Sequence, residues 1–211
     1  MNSGVTLFGL ASGHFVRTVR MCLEEKQLPY ALEEYLPHSR EIRRLNLLGK
    51  TPALRHGEFV LYESSAIARY VDEGFDGPPL QPPNATERAT MNQWIGAICD
   101  SFDTSMMQQL VHERLVVPAD GGVPDEAIVR DAMPRVQIQL AIADKALAQH
   151  NFLAGRRLTL ADLFLAPMID AVKRTEEGAG LLEESFTWLN RWCDRMAARR
   201  SFHDTATIGR Q

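Results

Sequence analysis

A stretch beginning at Thr51-Pro52 holds the residues most able to do chemistry. It opens a short predicted strand over residues 53–55, because a proline without an N–H belongs at the start or edge of a sheet. A turn at Gly57, which is free to adopt positive φ, leads to a second predicted strand, Phe59–Tyr62, in which Tyr62 is interpreted as a core residue. A helix follows, entered through Ser64 or its neighbour, since apolar residues then recur at helical spacing.

The same stretch could bind a small zwitterionic peptide. The strand edge at Thr51 leaves backbone N–H and C=O groups free to pair with an extended peptide. A helix that begins at Ser64 directs N–H groups and the positive end of its dipole at one place, which favours a carboxylate. Glu63 could bind an ammonium group. The alternative is a plain hairpin followed by a capped helix, and local physics alone favours that alternative.

These residues resemble the glutathione-binding part of the thioredoxin-like domain of cytosolic glutathione S-transferases. The resemblance implies that Pro52 is cis and that the backbone of Thr51 pairs with the cysteinyl part of glutathione. It also implies that Glu63 and Ser64 hold the γ-glutamyl end.

The resemblance extends to three further candidate glutathione contacts. His38 falls where the family carries a basic residue for the glycine carboxylate, and Lys50 falls where a Gln or Lys reaches the tripeptide. Phe15 follows the loop after the first strand, beside the candidate catalytic residues. Without the resemblance, His38 and Lys50 are ordinary solvated surface residues.

The reaction implied by the resemblance is attack of the glutathione thiolate on a small hydrophobic electrophile. Ser12 and His14 are the candidate catalytic donors to the sulfur, as in the serine-type phi, theta and related bacterial classes. Two alignments with the family place either Ser12 or Gly13 at the serine position, so a backbone N–H is a third candidate. The alternative is that Ser12 only caps the first helix. Because this loop has no cysteine, the omega and beta classes are disfavoured.

The electrophile is expected against the long helix predicted to begin near Thr86. Ser101, Phe102 and Met106 are the candidate contacts there, since Met and Phe form an adaptable apolar surface. At helical spacing these residues fit a core equally well. The resemblance also implies a homodimer. Rival activities are glutathione-dependent isomerisation or dehalogenation, and a rival of another class is a non-catalytic glutathione-binding or scaffold protein.

Composition excludes several other classes. The 211 residues are 45% hydrophobic and 24% charged, with a net charge of −4, which indicates no nucleic-acid partner. Cys22, Cys99 and Cys193 are far apart, so neither a disulfide scaffold, a zinc site nor a dithiol motif is predicted. Cys22, on the first predicted helix, is expected to pack as a small buried hydrophobe. No apolar run reaches the roughly 18 residues of a membrane span, and the N-terminus lacks the basic region of a signal peptide. The expectation is a cytoplasmic protein without a metal.

The first part of the chain predicts a small α/β domain over residues 1–77. Its elements follow the order strand, helix, strand, helix, strand, strand, helix. The first two strands, 5–10 and 30–36, are joined by a helix and so should be parallel, whereas the later hairpin adds antiparallel strands. The prediction is a mixed four-stranded sheet of the thioredoxin-like kind.

The sequence after residue 77 predicts a proline-rich linker over residues 78–85 and an all-helical domain over residues 86–211. A long amphipathic helix should run over 86–115, and a second over 125–149 with a kink at Pro134.

A capping box marks the start of a later, buried helix. Thr159 should cap it and Asp162 should reach back to the Thr159 N–H, with Leu158 and Leu163 as a hydrophobic staple. The box is therefore structural. The polar tail from Arg199 is predicted to be less ordered.

Overall fold

The structure is a computed structural model that describes residues 4–206, and it divides into two compact units. One unit contains residues 4–81 together with 197–206, and the other contains residues 82–196. The division after residue 81 lies inside the stretch predicted as a linker. The sequence had placed residues 197–206 with the helical domain, whereas their contacts place them with the first unit.

The first unit is built on a four-stranded sheet in the order β2-β1-β3-β4. β1 and β2 are parallel, and the other two pairs are antiparallel, so the predicted mixed sheet is confirmed. The elements are β1 Val5–Phe8, α1 His14–Glu25, β2 Tyr30–Glu33, α2 Arg40–Leu45, β3 Ala53–His56, β4 Phe59–Tyr62 and α3 Ser64–Gly74.

The core of this unit is formed by α1, α3 and the central strands. The apolar residues of α1 after Phe15 are buried, and α1 contacts α3. Leu7 and Leu54 face each other across β1 and β3 and are both fully buried. Burial of each such side chain stabilises the fold by about 1.5–3 kcal/mol. Cys22 is also fully buried, and burial raises the pKa of its thiol, so it is a packing residue, as predicted.

Strand ends and edges differ from the sequence expectation. β1 and β2 stop at Phe8 and Glu33, two and three residues before the predicted ends at residues 10 and 36. β4 is apolar throughout yet largely exposed, because it is an edge strand of the sheet. Tyr62, interpreted from the sequence as a core residue, is 43% exposed, so that interpretation is wrong.

The expected disorder after Arg199 is wrong for the described residues. A short helix, α10, covers Arg200–Asp204 and contacts α1. Ser201 and Thr205 are buried, and the Arg199 guanidinium binds the carboxylate of Glu25 with two hydrogen bonds of 2.7 and 2.6 Å. Polar composition gave no sign of this, because the segment is held by charges and hydrogen bonds.

The second unit is helical. Its elements are α4 Ala85–Ala97, a π-helical segment Ile98–Val116, α5 Val117–Ala119, α6 Glu126–Leu147, α7 Leu160–Val172, α8 Glu176–Ser185 and α9 Thr187–Ala197. The helix predicted over 86–115 is therefore present, but from Ile98 its backbone hydrogen bonds follow the wider π pattern. Helix α6 continues through Pro134.

The predicted capping box at the start of α7 is confirmed. The Asp162 carboxylate accepts hydrogen bonds from the Thr159 N–H and hydroxyl, at 2.9 and 3.0 Å. It also accepts from the Leu153 N–H at 2.9 Å and from the Trp192 indole N–H at 3.0 Å. Burial raises the pKa of Asp162, and these four donors oppose that shift by stabilising the ionised form.

Candidate functional site

Four loops meet at one end of the sheet in the first unit. The strand register aligns the ends of β1, β2 and β4 with the start of β3, through the pairs Phe8–Glu33, Phe8–Ala53 and Ala53–Tyr62. The loops that follow β1, β2 and β4, and the loop that precedes β3, therefore emerge side by side. These loops and the first residues of the helices that follow them carry all the predicted glutathione and catalytic residues, namely Ser12, His14, Phe15, His38, Lys50, Thr51, Pro52, Glu63 and Ser64.

Gly9 brings two of these loops into contact. Its φ is +137°, and a Cβ there would lie 2.7 Å from Val16 Cγ2 and 2.9 Å from Thr51 Cβ. Only glycine leaves room for the first turn of α1 and for Thr51 to approach the chain this closely. Thr51 is thus packed against the loop that carries Ser12.

Ser12 is exposed in a tight turn and does not cap α1. The turn is closed by a 3.0 Å hydrogen bond from the Gly13 N–H to the Leu10 carbonyl, and the N-cap position of α1 is Gly13. The interpretation of Ser12 as a helix cap is therefore wrong. The Ala11 N–H donates to the Glu34 carboxylate at 2.8 Å, a contact that fixes the turn and that the sequence did not suggest.

His14 and Phe15 are the first two residues of α1, and both are half-buried. Their ring centroids lie 4.2 Å apart. The Thr18 hydroxyl donates to the His14 carbonyl at 3.1 Å, which ties the first turn to the second.

His38 and Lys50 are brought close by the loop before β3. The His38 N–H donates to the Gly49 carbonyl at 2.7 Å, and a Cβ on Gly49 would lie 2.5 Å from His38 Nδ1. The exposed imidazole therefore lies against Gly49, next to the exposed Lys50. Two cationic or hydrogen-bonding side chains at this position suit an anionic ligand.

Asn46 holds that loop in shape. It is only 2% exposed, its Nδ2 donates to the Lys50 carbonyl at 2.9 Å, and its Oδ1 accepts from the Leu48 N–H at 3.0 Å. The Gly49 N–H donates to the Asn46 carbonyl at 2.8 Å. No motif marks this residue in the sequence, where its only signal is an Asn directly after the short helix.

The Thr51-Pro52 peptide bond is cis, as the resemblance implied. Pro52 is buried and Thr51 is half-buried, directly before β3.

Glu63 and Ser64 form an open helix start. Glu63 occupies the N-cap position of α3, with a φ of +69°, and its side chain does not accept from the helix. Ser64, predicted as the cap, is instead the first helical residue and is buried. A non-glycine residue with positive φ is strained, and such strain is typical of ligand sites.

Helices α1 and α3 both begin at this end of the sheet without a side-chain cap. Their N-termini therefore direct backbone N–H groups and positive dipole ends towards the loop cluster. With His38 and Lys50 nearby, this end can hold carboxylates, and the Glu63 carboxylate can hold an ammonium group.

The electrophile candidates lie on the π-helical segment. Ser101 is exposed, whereas Phe102 is 4% exposed and Met106 is fully buried. The Phe102 ring packs edge-on against Trp94, with 6.3 Å between centroids. Phe102 and Met106 are thus core residues in this structure, and a ligand could contact them only after neighbouring side chains moved.

Residues 4–206 lack two other kinds of functional feature, a metal-binding cluster and a membrane-spanning helix. This part of the chain contains no group of three or more His, Cys, Asp or Glu side chains placed to hold a metal ion. None of its helices is long and apolar enough to cross a membrane.

The chain is similar to known proteins along nearly its whole length. Residues 7–79 match the model for the N-terminal domain of glutathione S-transferases, and residues 104–200 match the model for the C-terminal domain. Glutathione S-transferase 3 of Zea mays is 30% identical over 208 residues, which cover 94% of this chain and 91% of that protein. Glutathione S-transferase U1 of Arabidopsis thaliana is 31% identical over 196 residues, covering 89% and 82%.

Solved structures give the same result. The theta class glutathione S-transferase from the citrus canker pathogen Xanthomonas axonopodis pv. citri, with glutathione bound, superposes with a TM-score of 0.87 at 26% identity over 100% of both chains. Together with the two matched domains, this similarity establishes that the chain belongs to the glutathione S-transferase family.

Proposed function

We propose that this protein transfers the thiolate of its co-substrate glutathione to small hydrophobic electrophiles. The observation that carries the proposal is the convergence of the four strand-end loops at one end of the sheet, where two uncapped helix starts, His38, Lys50 and the Ser12 hydroxyl could serve one ligand.

Each part of glutathione has a matching group. The γ-glutamyl carboxylate fits the start of α3 and Ser64, and its ammonium group fits Glu63. The backbone of Thr51 is available to the cysteinyl part. The glycine carboxylate fits His38 and Lys50.

The sulfur is then directed at the start of α1. Ser12 is the hydroxyl donor, His14 and the N–H groups of the first turn are further donors, and Phe15 supplies an apolar contact beside them. A free thiol has a pKa of roughly 8.5, and a two-unit decrease needs about 2.7 kcal/mol. One charge-assisted hydrogen bond and a helix N-terminus can together supply that energy.

The remaining proposals concern the electrophile, the assembly and the location. Ser101 is the electrophile candidate already exposed, with Phe102 and Met106 contributing only if the segment repacks. Exposed apolar residues such as Leu48 and Phe59 support a homodimer, which light scattering would test. The free cysteines fit the cytoplasm, where thiols are kept reduced.

The test is titration of the thiolate absorbance of bound glutathione between about pH 5 and 9, in the wild type and in Ser12→Ala. We expect a depressed thiol pKa in the wild type that returns towards the free value in the variant. Ser185→Ala, which changes an exposed serine at the end of α8, is the matched control and should behave as the wild type.

Two other outcomes would change the proposal. A depressed pKa that survives Ser12→Ala would assign the role to His14 or to backbone N–H groups. Saturable glutathione binding with no conjugation of an aryl halide would contradict the transferase proposal in favour of a binding protein.

A further inference from the structure

One side of α1 is covered by the C-terminal residues of the first unit. Arg17, Arg20 and Glu25 lie along this side, and all three bind the segment 199–206. That segment returns to the first unit after the whole helical unit has been completed.

Arg17 is the most enclosed of these contacts. The residue is 4% exposed, and its guanidinium carbon lies 4.4 Å from the centroid of the Phe202 ring. Its Nη2 donates to the Phe202 carbonyl at 3.2 Å. A desolvated cation over an aromatic face, with a hydrogen bond to the same residue, fixes both the position and the orientation of the side chain.

Arg20 extends the same contact by one turn. Its Nη1 and Nη2 donate to the carbonyls of Thr205 and Asp204, at 3.1 and 3.2 Å. These carbonyls lie at the C-terminal end of α10, where unpaired carbonyl groups favour cations. Arg17 and Arg20 therefore act together as a clamp on α10.

The other end of α1 is held separately. Arg199 binds Glu25 through two hydrogen bonds, and the Ser201 hydroxyl donates to the same carboxylate. The C-terminal segment thus has two attachment points on α1, one near its first turn and one at its last residue.

The first attachment point is directly linked to the candidate catalytic loop. The Arg17 N–H donates to the Gly13 carbonyl at 2.8 Å, closing the first turn of α1. The adjacent Thr18 hydroxyl binds the His14 carbonyl. A shift of Arg17 would therefore move Gly13 and His14, and with them Ser12.

We propose that Arg17 and Phe202 are positioning residues for the reaction, holding the start of α1 in the geometry that stabilises the thiolate. The inference rests on the proposed function. Through the Arg17–Phe202 contact, the C-terminal segment would act on the chemistry of a site that lies more than 180 residues earlier in the sequence.

The test compares Phe202→Ala with Phe202→Tyr, which keeps the aromatic face. We expect Phe202→Ala to raise the pKa of bound glutathione thiol towards the free value and to lower kcat/KM at neutral pH by about tenfold. Phe202→Tyr should keep both the thiol pKa and kcat/KM at their wild-type values. Phe202→Leu keeps apolar bulk without the ring face, so it gives the same information if Phe202→Ala does not fold.

Arg199→Met is the matched control, because it releases the same segment at the far end of α1. It should lower thermal stability and leave the thiol pKa unchanged. An equal pKa shift in Arg199→Met and Phe202→Ala would overturn the inference, since the segment would then act only through stability.

The wild type separates this inference from the proposed function. A wild type that binds glutathione with a depressed thiol pKa, beside a Phe202→Ala variant with the same pKa, overturns the positioning role alone. A wild type without any depressed thiol pKa overturns the proposed function and this inference with it.

Discussion

The starts of α7 and α3 contrast two uses of a helix N-terminus. At α7, a fully buried carboxylate, Asp162, accepts four hydrogen bonds, two of them from Thr159. At α3, the N-cap residue Glu63 is exposed, has a φ of +69°, and makes no side-chain cap. The first start is closed by its own chain, whereas the second is open to a ligand.

Other helices follow the same division. Helices α4, α6 and α8 follow the N-cap residues Asn84, Asp125 and Thr175, and each of these side chains accepts a hydrogen bond from the helix it caps. The N-cap residue of α1 is Gly13, which has no side-chain acceptor, and the N-cap side chain of α3 accepts no hydrogen bond from its helix. Helices α5 and α10 also start without a side-chain cap, but α1 and α3 are the two whose uncapped starts meet at the strand-end loops. Uncapped helix starts therefore point to a candidate ligand site when the sheet brings two of them together.

The largest expected effect is a loss of stability when the closed start of α7 loses its buried carboxylate. Asp162→Ala should lower the free energy of unfolding by about 3–5 kcal/mol, because several buried donors lose their acceptor. Urea denaturation followed by tryptophan fluorescence measures it, since Trp94, Trp188 and Trp192 all lie in the helical unit.

The control is Asp131→Ala, which removes an exposed carboxylate paired with Arg135 one turn away. It should cost less than about 0.5 kcal/mol. If the two variants were equally stable, the closed start would not be a stabilising element, and the contrast with α3 would fail.

At the open start of α3, a substitution should change glutathione affinity more than stability. Ser64→Ala should weaken glutathione binding by about 10- to 100-fold, as expected for loss of a hydrogen bond to a charged group. Its stability should change by less than about 1 kcal/mol, within the usual range for loss of one hydrogen bond. Calorimetric titration with glutathione measures the first quantity and thermal unfolding the second.

Ser65→Ala, one residue further along α3, is the control and should leave the affinity unchanged. A large loss of stability with unchanged affinity in Ser64→Ala would make the start of α3 structural, as at α7.

Local sequence signals predicted what short-range physics determines. Gly57 marked the hairpin and has a φ of +61°, and the spacing of Thr159 and Asp162 gave the capping box. The Trp192 donor to Asp162 could not be predicted, because it lies 30 residues away and meets the carboxylate only in the folded unit.

The site was predicted in part. The resemblance selected Thr51, Pro52, Glu63 and Ser64, and the strand register places them together with Ser12. The burial of Phe102 and Met106 was not decided by helical spacing, which is the same for core and ligand surface. Asn46, Glu34 and the return of α10 were missed because polar residues give no periodic signal.

A smaller effect on stability is expected at the C-terminal end of α1, where Glu25 binds Arg199. Burial by itself would raise the pKa of Glu25, but hydrogen bonds from Arg199 and Ser201 outweigh it and lower the pKa below the ordinary 4.5. A lowered folded pKa stabilises the protein above the unfolded value, and this stabilisation is lost as the pH falls through the folded pKa.

Arg199→Met should therefore be less stable than the wild type by about 1.5 kcal/mol at pH 7. The difference should narrow as the pH decreases below 4.5, because Glu25 then becomes protonated in both proteins. Thermal unfolding followed by circular dichroism across this range measures it. A difference that stays constant with pH would show that Arg199 acts through packing and not through the Glu25 charge.

The smallest effect tests an ordinary cap. The Asn84 side chain accepts from the Glu87 N–H at 2.8 Å, so Asn84→Ala should cost about 1 kcal/mol of stability and leave glutathione affinity unchanged. Thr86→Ala changes the exposed residue predicted to start this helix and should have almost no effect on either quantity. Lower glutathione affinity in Asn84→Ala would contradict the distinction between capped and uncapped helix starts. A capped start would then contribute to the ligand site, as only the uncapped starts of α1 and α3 are proposed to do.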